Sequence, residues 1–334
     1  MPFRFVHTAD VHLDSPLRSL ALRDAVLADK VAAATRGAFA RTVELCLDER
    51  VDALLIAGDL YDGGQTSMAT ARFVADQFDR LHAAGVRTLI VRGNHDALSK
   101  VSRVLDPPPS VTVFGARGGT VRIEAGALCV AVHGLSFREP RAPESLLPRY
   151  PPPATGAVNI GMMHTSLNGA PGHDVYAPVA LADLQGSGHA YWALGHLHAR
   201  AEYPGAAHVV MPGMPQARDM GEAGAKSVTL GLIDDAGRVT TEVRAVAPAD
   251  FARVTVDAGG ADWDGVVARL RAAVRAARAR AAAPDLVLRL TLAGAGALAP
   301  RLLRDRDLLA EEGARAESGV WIEGVEVGGA APAG

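Results

Sequence analysis

Gly93-Asn94-His95-Asp96 directly follows the apolar run of residues 86–91. A short apolar run that ends in a Gly-Asn turn is typical of a buried strand that delivers polar side chains to the edge of a sheet. The asparagine, histidine and aspartate of this turn can all bind metals or exchange protons. The stretch therefore predicts a strand whose carboxyl end carries functional residues.

Four further strand-like runs end in residues of the same chemical kind. They cover residues 3–6, 53–56, 158–163 and 191–194, and the polar residues that follow them are Asp10, His12, Asp59, Asp62, His164, His196 and His198. In open α/β sheets, binding sites form at the carboxyl ends of the strands, so residues far apart in sequence converge there. Carboxylate, amide and imidazole groups without thiolate suit divalent ions such as manganese, iron or zinc. A single histidine at a strand end is more often structural, but the complete set predicts a metal site.

The composition limits the class of protein. The 334 residues are 49% hydrophobic and 21% charged, as in an ordinary globular chain, and the length suits a large domain with a small one. The net charge of -3 gives no overall basic signature for nucleic acid, although bound metal ions would supply local positive charge. The chain has no signal-peptide pattern and no apolar run of membrane-spanning length. We therefore expect a cytoplasmic protein without a membrane partner.

The order of the predicted elements indicates the fold. Residues 3–91 alternate strands with helices at 31–50 and 68–84, which predicts parallel strands joined by right-handed crossovers. Short runs at 111–114, 120–123 and 128–132 predict a meander that forms a second sheet. We expect the runs at 209–212, 227–233 and 239–245 to extend this second sheet. Residues 1–247 are therefore predicted to form a catalytic domain of the α/β class, a four-layer α/β/β/α sandwich.

A change in composition near Pro248 predicts a second, smaller domain. Residues 248–328 alternate three predicted strands with two helical stretches, as a small α+β unit would, and the low-complexity residues 329–334 are expected to form a disordered tail. In the helix predicted at 262–282, Arg271, Arg275 and Arg278 share one face. They form either a strip that contacts phosphates or the solvated face of an ordinary surface helix, and the solvated face is the commoner case.

The chemistry of the strand-end residues suggests a division of roles. Asp59, in a tight Gly-Asp turn, is the natural candidate to bridge two divalent ions about 4 Å apart. His95 would point away from its neighbour Asn94 and could protonate a leaving oxygen or stabilise a transition state. Asp62 and Asp96 would orient imidazoles, unless they are solvated loop carboxylates. One ion would take Asp10, His12 and His198, and the other would take Asn94, His164 and His196.

The motifs, in this order, resemble those of the calcineurin-like metallophosphoesterase superfamily. They are Asp-x-His, Gly-Asp-x-x-Asp, Gly-Asn-His-Asp, a lone His and Gly-His-x-His, and the resemblance covers residues 3–246. Residues 58–62, 164–174, 191–196 and 212–218 resemble the SbcD/YhaO group of DNA repair exonucleases. This resemblance implies a nuclease that uses two divalent ions, Mn²⁺ before Fe²⁺, Zn²⁺ or Mg²⁺, and acts on DNA ends as an exonuclease or also as an endonuclease. It also implies a small capping domain after the catalytic one.

The resemblance assigns roles to individual residues as well. It implies that His95 is the catalytic histidine and that the metal ligands are Asp10, His12, Asp59, Asn94, His164, His196 and His198. The family pattern gives no ligand role to His133, which is either structural or close to the phosphate, the structural role being favoured, and His173 stays unassigned.

The partners and two other functions stay open from the sequence. Members of the group usually continue past the cap into a segment that docks on an SMC-like ATPase, whereas this sequence stops at Gly334, so it is either truncated or without that element. A homodimer is a further expectation. The first alternative function is a phosphoesterase for small phosphodiesters or phosphoproteins, and the second is a non-catalytic scaffold that binds DNA or an ATPase.

Overall fold

The computed structural model describes residues 2–15, 25–62, 67–98, 107–139, 142–169 and 175–328. The predicted tail at 329–334 and His173 lie outside these residues. The described chain divides into two compact units. The first unit contains residues 2–15, 35–215 and 227–246, and the second contains residues 25–34, 216–226 and 247–328. The domain boundaries inferred from the sequence stay a prediction.

The first unit contains twelve named strands and most of three helices. The strands are β1 (Phe3–Thr8), β2 (Ala53–Ala57), β3 (Arg87–Val91), β4 (Val111–Val113), β5 (Gly119–Ala125), β6 (Leu128–Gly134), β7 (Val158–His164), β8 (Tyr191–Gly195), β9 (Ala201–Tyr203), β10 (His208–Met211), β11 (Ser227–Ile233) and β12 (Val239–Ala245). The helices are α1 (Ala25–Asp48), α2 (Met68–Ala83) and α3 (Leu181–Gln185).

These strands form two six-stranded sheets. The first sheet has the order β12-β11-β1-β2-β3-β4, and the second has the order β5-β6-β7-β8-β10-β9. In the first sheet β1 to β4 are parallel, β11 pairs antiparallel with β1, and β12 pairs antiparallel with β11. In the second sheet β6, β7, β8 and β10 are parallel. Parallel strands present their carboxyl ends at one edge, which is where the predicted site residues follow them.

Three strands belong to a different sheet from the one that we predicted. β4, β11 and β12 were expected in the second sheet, but all three lie in the first. β4 pairs with β3 in parallel, and β11 pairs with β1 from Phe3 opposite Ile233 to His7 opposite Thr229. The prediction was wrong because alternation of apolar and polar residues identifies a strand and its buried face but does not name its neighbour.

Three apolar layers hold the two sheets and the helices together. Phe39 of α1 and Phe78 of α2 pack on one face of the first sheet. Phe5 and Tyr191 belong to the layer between the two sheets, and Trp192 packs with Leu184 of α3 on the outer face of the second sheet. Alternate residues of each strand therefore serve opposite layers. The predicted four-layer α/β/β/α architecture is confirmed.

The second unit is built on a three-stranded parallel sheet. Its elements are β13 (Ala249–Asp257), α4 (Trp263–Arg280), β14 (Asp285–Ala293), α5 (Ala299–Arg304), α6 (Arg306–Ala314) and β15 (Val320–Val327). The strand order is β13-β14-β15, so helices connect each parallel pair. Asp262 caps α4 by accepting a hydrogen bond from the Gly265 amide, and Leu270 and Val274 are buried on its inner face.

Two of the three arginines that share a face of α4 already pair with groups of the second unit. Arg271 pairs with Glu312 of α6, and Arg278 donates to the carbonyl oxygen of Ala283 at 2.6 Å. Arg275 is exposed. Two of the three cations therefore stabilise the unit itself, which is the structural interpretation of this helix rather than the phosphate-binding one. Among the described residues, no helix combines the length and the apolar character that crossing a bilayer would require.

Candidate metal centre

The predicted ligands follow five strands that end at one edge of the two sheets. Asp10 and His12 follow β1, Asp59 follows β2, and Asn94 follows β3 in the first sheet. In the second sheet, His164 is the last residue of β7, and the other two ligands, His196 and His198, follow β8. The two sheets therefore contribute side chains to a single group.

The backbone of this region is held in unusual conformations. Asp10, His12, Asp59 and His196 all have positive φ angles, of 51°, 46°, 52° and 103°. Such angles cost energy for residues other than glycine and persist where the surrounding structure enforces them. Here the Asp10 amide donates to the carbonyl of Gly58 at 3.0 Å, and the His12 amide donates to that of Asp59 at 3.0 Å. The loops after β1 and β2 thus run side by side and turn their side chains to the same place.

Two glycines of the motifs, Gly58 and Gly93, provide the space that the side chains of Asp59 and His164 occupy. A Cβ atom on Gly58 would lie 2.3 Å from Nδ1 of His164. A Cβ atom on Gly93 would lie 2.3 Å from Oδ1 of Asp59 and 2.8 Å from Nε2 of His164. These distances are far below van der Waals contact, so the glycines are required by close packing inside the site.

The donor atoms of the described residues form three overlapping groups, and the third, His12, Asp62 and His95, contains only one predicted ligand. Asp10, His12 and His198 each offer an atom within 4.8 Å of the others, and so do Asp10, Asp59 and His164. The first group is the ligand set that we predicted for one ion. In the second group His164 Nε2 lies 3.3 Å from Asp59 Oδ2 and 3.0 Å from Oδ1 of Asn94.

Asp59 belongs to the second group and also lies near His12 of the first. Its Oδ2 is 3.9 Å from Nε2 of His12 and 3.3 Å from Nε2 of His164. The ring of His196 lies 5.2 Å from that of His164, and its amide donates to Oδ2 of Asp10 at 2.9 Å. The structure therefore brings together all seven predicted ligands, while their division between two ions stays a prediction.

Burial and charge pairing dominate the electrostatics of the centre. Asp10, His12, Asp59 and His164 are at most 2% exposed. Burial opposes the charged form of Asp59, but the neighbouring His164 outweighs it and holds the pKa of the carboxyl well below its usual range. The same attraction overcomes burial at His164 and raises its pKa to about 9, whereas burial raises the pKa of Asp10. Buried carboxylates, imidazoles and an amide oxygen that converge in this way fit a pair of divalent cations.

His95 stands beside the ligands and pairs with Asp62. Its Nδ1 lies 2.9 Å from Oδ1 of Asp62, and its ring centre lies 4.9 Å from that of His12. The side chain is 41% exposed, so it is accessible from outside. The hydrogen bond between the two residues raises the pKa of His95 and lowers that of Asp62. Because a carboxylate only accepts, Nδ1 carries the hydrogen, and Nε2 is the atom that can act on a bound molecule.

Asp96 acts on the backbone rather than on an imidazole. Its buried carboxylate accepts from the amides of Tyr61 at 2.9 Å, Gly93 at 3.2 Å and Leu60 at 3.3 Å. Burial, reinforced by the charge of Asp59, raises its pKa to about 7. Asp96 therefore ties the loop after β3 to the loop after β2, a role that the sequence analysis did not predict.

Several residues near the centre were not found by sequence reasoning. Ser15 donates from Oγ to Oδ2 of Asp62 at 2.8 Å, and the ring of Tyr176 lies 5.0 Å from that of His196. Ser15 follows the Asp-x-His motif in the same loop, but a serine in a loop carries no signal of its own.

His133, to which the family pattern gives no ligand role, forms hydrogen bonds with Thr120 and Asn159 on the second sheet, at 2.9 and 2.8 Å.

Comparison with known proteins adds independent findings. The calcineurin-like phosphoesterase family matches residues 3–200, and the middle domain of the metallophosphoesterase YhaO matches residues 251–328. The protein named "Uncharacterized metallophosphoesterase YhaO" of Bacillus subtilis is 33% identical over 232 residues, which cover 68% of this chain and 56% of that protein.

Two archaeal proteins named "DNA double-strand break repair protein Mre11" are also similar. That of Methanopyrus kandleri is 25% identical over 236 residues, which cover 64% of this chain and 49% of its own. That of Aeropyrum pernix is 29% identical over 214 residues, which cover 59% of this chain and 49% of its own. The chain thus matches about half the length of these curated relatives. The resemblance inferred from the motifs is confirmed: this chain belongs to the calcineurin-like phosphoesterase family, whose members use a site for two metal ions.

Proposed function

We propose that the chain is a two-metal-dependent DNA phosphodiesterase that processes DNA ends. The observation that carries this proposal is the convergence of seven donor side chains, the buried Asp59 among them, with the His95–Asp62 pair beside them. The names of the two archaeal relatives, which describe DNA double-strand break repair, support DNA as the substrate class. The cap-like second unit, which matches a domain of YhaO, is consistent with it.

The ligand residues would divide between the two ions as predicted from the sequence. Asp10, His12 and His198 would hold one ion, Asn94, His164 and His196 would hold the other, and Asp59 would bridge them. When bound, the two ions supply positive charge that clamps a phosphoryl group and makes a water molecule more acidic. The donor set contains no thiolate and suits manganese, iron or zinc; we propose Mn²⁺ before Fe²⁺, Zn²⁺ or Mg²⁺, as the resemblance to the SbcD/YhaO group implies.

His95 would serve the leaving group. Its Nδ1–H is engaged by Asp62, so Nε2 is the nitrogen that would give a proton to the oxygen that departs from phosphorus. Asp62 fixes the orientation of the ring and stabilises its protonated form. An imidazolium that stays protonated would instead stabilise the transition state by its charge.

A phosphoesterase for small phosphodiesters is the second candidate. It is favoured by the net charge of -3 and by the engagement of Arg271 and Arg278 within the second unit. Salt dependence separates the two functions, because binding to duplex DNA releases counterions and weakens steeply as salt rises. An ATPase partner, a homodimer and a cytoplasmic location stay predictions.

The test is degradation of end-labelled linear duplex DNA in the presence of Mn²⁺. We would compare the wild type with His95→Ala and Asp59→Ala and determine the metal content of the same samples. His82→Ala is the matched control, because His82 lies on α2 and bonds to Ser110 rather than to the centre. We expect His95→Ala to retain metal without activity, and Asp59→Ala to lose metal. If the wild type leaves DNA intact but hydrolyses bis(p-nitrophenyl) phosphate through the same residues, the DNA assignment is wrong.

A further inference from the structure

The loop after β1 lies along the loop after β2 beyond the metal ligands. The Leu13 amide donates to the carbonyl of Leu60 at 3.0 Å, and Leu13 forms an isolated parallel bridge with Tyr61. The Ser15 amide donates to the carbonyl of His12 at 3.1 Å, which closes a turn. This turn places the hydroxyl of Ser15 beside the carboxylate of Asp62.

Asp14 anchors this turn to the two long helices. Its carboxylate pairs with Arg36 of α1 through two hydrogen bonds, at 2.7 and 2.5 Å, and also accepts from the hydroxyl of Thr70 on α2. The amide of Asp14 donates to Oγ1 of Thr35 at 3.2 Å. Asp14 has a φ angle of 55°, so these contacts stabilise a backbone conformation that aspartate adopts at some cost. The position of Ser15 therefore depends on the helices.

The two oxygens of Asp62 have different partners. Oδ1 lies 2.9 Å from Nδ1 of His95, and Oδ2 accepts from Oγ of Ser15 at 2.8 Å. The side chain of Asp62 is 23% exposed, so its carboxylate can rotate about the Cβ–Cγ bond and turn an oxygen to water. A donor on Oδ2 opposes that rotation, so Ser15 holds Oδ1 in line with the imidazole.

We propose that Ser15 is a positioning residue that acts through Asp62 on His95, so that the proton for the leaving oxygen is delivered from a fixed imidazole. This inference rests on the role of His95 in the proposed function, and it does not depend on DNA as the substrate. Loss of the Ser15 hydroxyl should impair the reaction most where the leaving oxygen most needs a proton, because general-acid catalysis matters least for a good leaving group.

The experiment compares two esters of thymidine 5′-monophosphate that differ only in the leaving phenol. Hydrolysis of the p-nitrophenyl ester and of the phenyl ester would be measured for the wild type, Ser15→Ala, Ser15→Thr and the control Ser110→Ala, which removes a hydroxyl that bonds to His82. We expect Ser15→Ala to retain its metal and its KM, and to lose about tenfold in kcat on the phenyl ester but less than about twofold on the p-nitrophenyl ester. Ser15→Thr keeps the hydroxyl and should retain most of the activity.

A double-mutant cycle with Asp62 separates positioning from a general structural effect. In an Asp62→Asn background, Ser15→Ala should cause no further loss on the phenyl ester, because the two residues act as one unit. Equal losses in both backgrounds, equal losses on both esters, or full activity of Ser15→Ala on the phenyl ester would each overturn the inference. A Ser15→Thr variant as impaired as Ser15→Ala would do the same.

A readout without turnover keeps the inference independent of the reaction. At a pH at which the ring is neutral, His95 labelled with ¹⁵N should show a single Nδ1–H tautomer in the wild type and a mixture in Ser15→Ala, and an unchanged spectrum would contradict our inference. Failure of the proposed DNA nuclease function would give a different result from failure of the inference about Ser15. In that case the wild type leaves duplex DNA intact, while the tautomer of His95 and the cycle on the two esters still report on Ser15.

Discussion

Acid should destabilise the first unit through His7, a buried histidine that is not one of the predicted metal ligands. His7 lies on β1 and is 0% exposed. Its Nε2 lies 3.0 Å from the carbonyl oxygen of Leu194, and its Nδ1 lies 2.9 Å from the hydroxyl of Tyr191. Since a carbonyl only accepts, Nε2 carries the hydrogen and Nδ1 accepts from Tyr191. His7 is thus neutral and joins β1 of the first sheet to β8 of the second.

The magnitude follows from the difference in pKa between the folded and unfolded states. Burial lowers the pKa of His7 from 6.5 to about 3, so between these values the unfolded chain takes up a proton that the folded chain refuses. The contribution of neutral His7 to the free energy of unfolding is therefore fully present above pH 6.5 and is lost as the pH falls below that value. Each pH unit in this window costs about 1.4 kcal/mol, so the loss between pH 7 and pH 5 is about 2 kcal/mol.

The assay is urea unfolding at pH 7 and pH 5, followed by the fluorescence of Trp192 in the first unit. The other two tryptophans, Trp263 and Trp321, belong to the second unit and would be replaced by phenylalanine. We compare the wild type with His7→Gln and use His82→Gln, a substitution at an exposed position on α2, as the control. The free energy lost on acidification should be about 2 kcal/mol smaller in His7→Gln. Equal losses in His7→Gln and the wild type would refute the reasoning, whatever the contribution of other buried histidines.

Three further predictions concern the centre itself. Gly93→Ala should fold, as circular dichroism would show, but lose at least about a hundredfold in activity, because its Cβ displaces Asp59 and His164; normal turnover would contradict the close packing. Asp96→Ala should lower the free energy of unfolding by about 2 kcal/mol or more, since three backbone amides lose their acceptor; urea titration measures it, and a change below about 0.5 kcal/mol would speak against the role. Removal of metal with a chelator should lower Tm, and Mn²⁺ at about a hundred times its Kd should restore about 2.7 kcal/mol; Asp59→Ala should show no such shift.

The convergence of the predicted ligand residues could be inferred from the sequence because their signals are local. Each follows a short apolar run, and the rule that parallel strands end at one edge brings them together without knowledge of the loops. Asp59 and His164 are 105 positions apart in sequence and 3.3 Å apart in the structure, at the distance between Oδ2 and Nε2. Their convergence needed only the alternation of strands and helices.

The pairing of the sheet strands and the separate roles of Asp96 and Asp62 depend on contacts between distant parts of the chain, which no local sequence pattern indicates. The pairing of β11 with β1 depends on which edge is open once the other strands have assembled, and the alternating pattern of Ser227–Ile233 suits either sheet. Similarly, Asp96 and Asp62 are both loop carboxylates near His95, yet one accepts from three amides and the other from an imidazole and a hydroxyl. Their different roles arise from small shifts of loop geometry, which residue identity does not encode.

The position of β1 within its sheet has a consequence for biosynthesis. One side of β1 pairs with β2, which is made soon afterwards, but the other side pairs with β11, where Phe3 meets Ile233. Translation proceeds from the amino terminus, so one edge of β1 stays open until more than two hundred further residues have been made. All the predicted ligands, the last of which is His198, emerge from the ribosome before the strand that seals their sheet. During that interval the nascent chain carries an unpaired strand edge, and chaperones that cover such edges should bind it until β11 arrives.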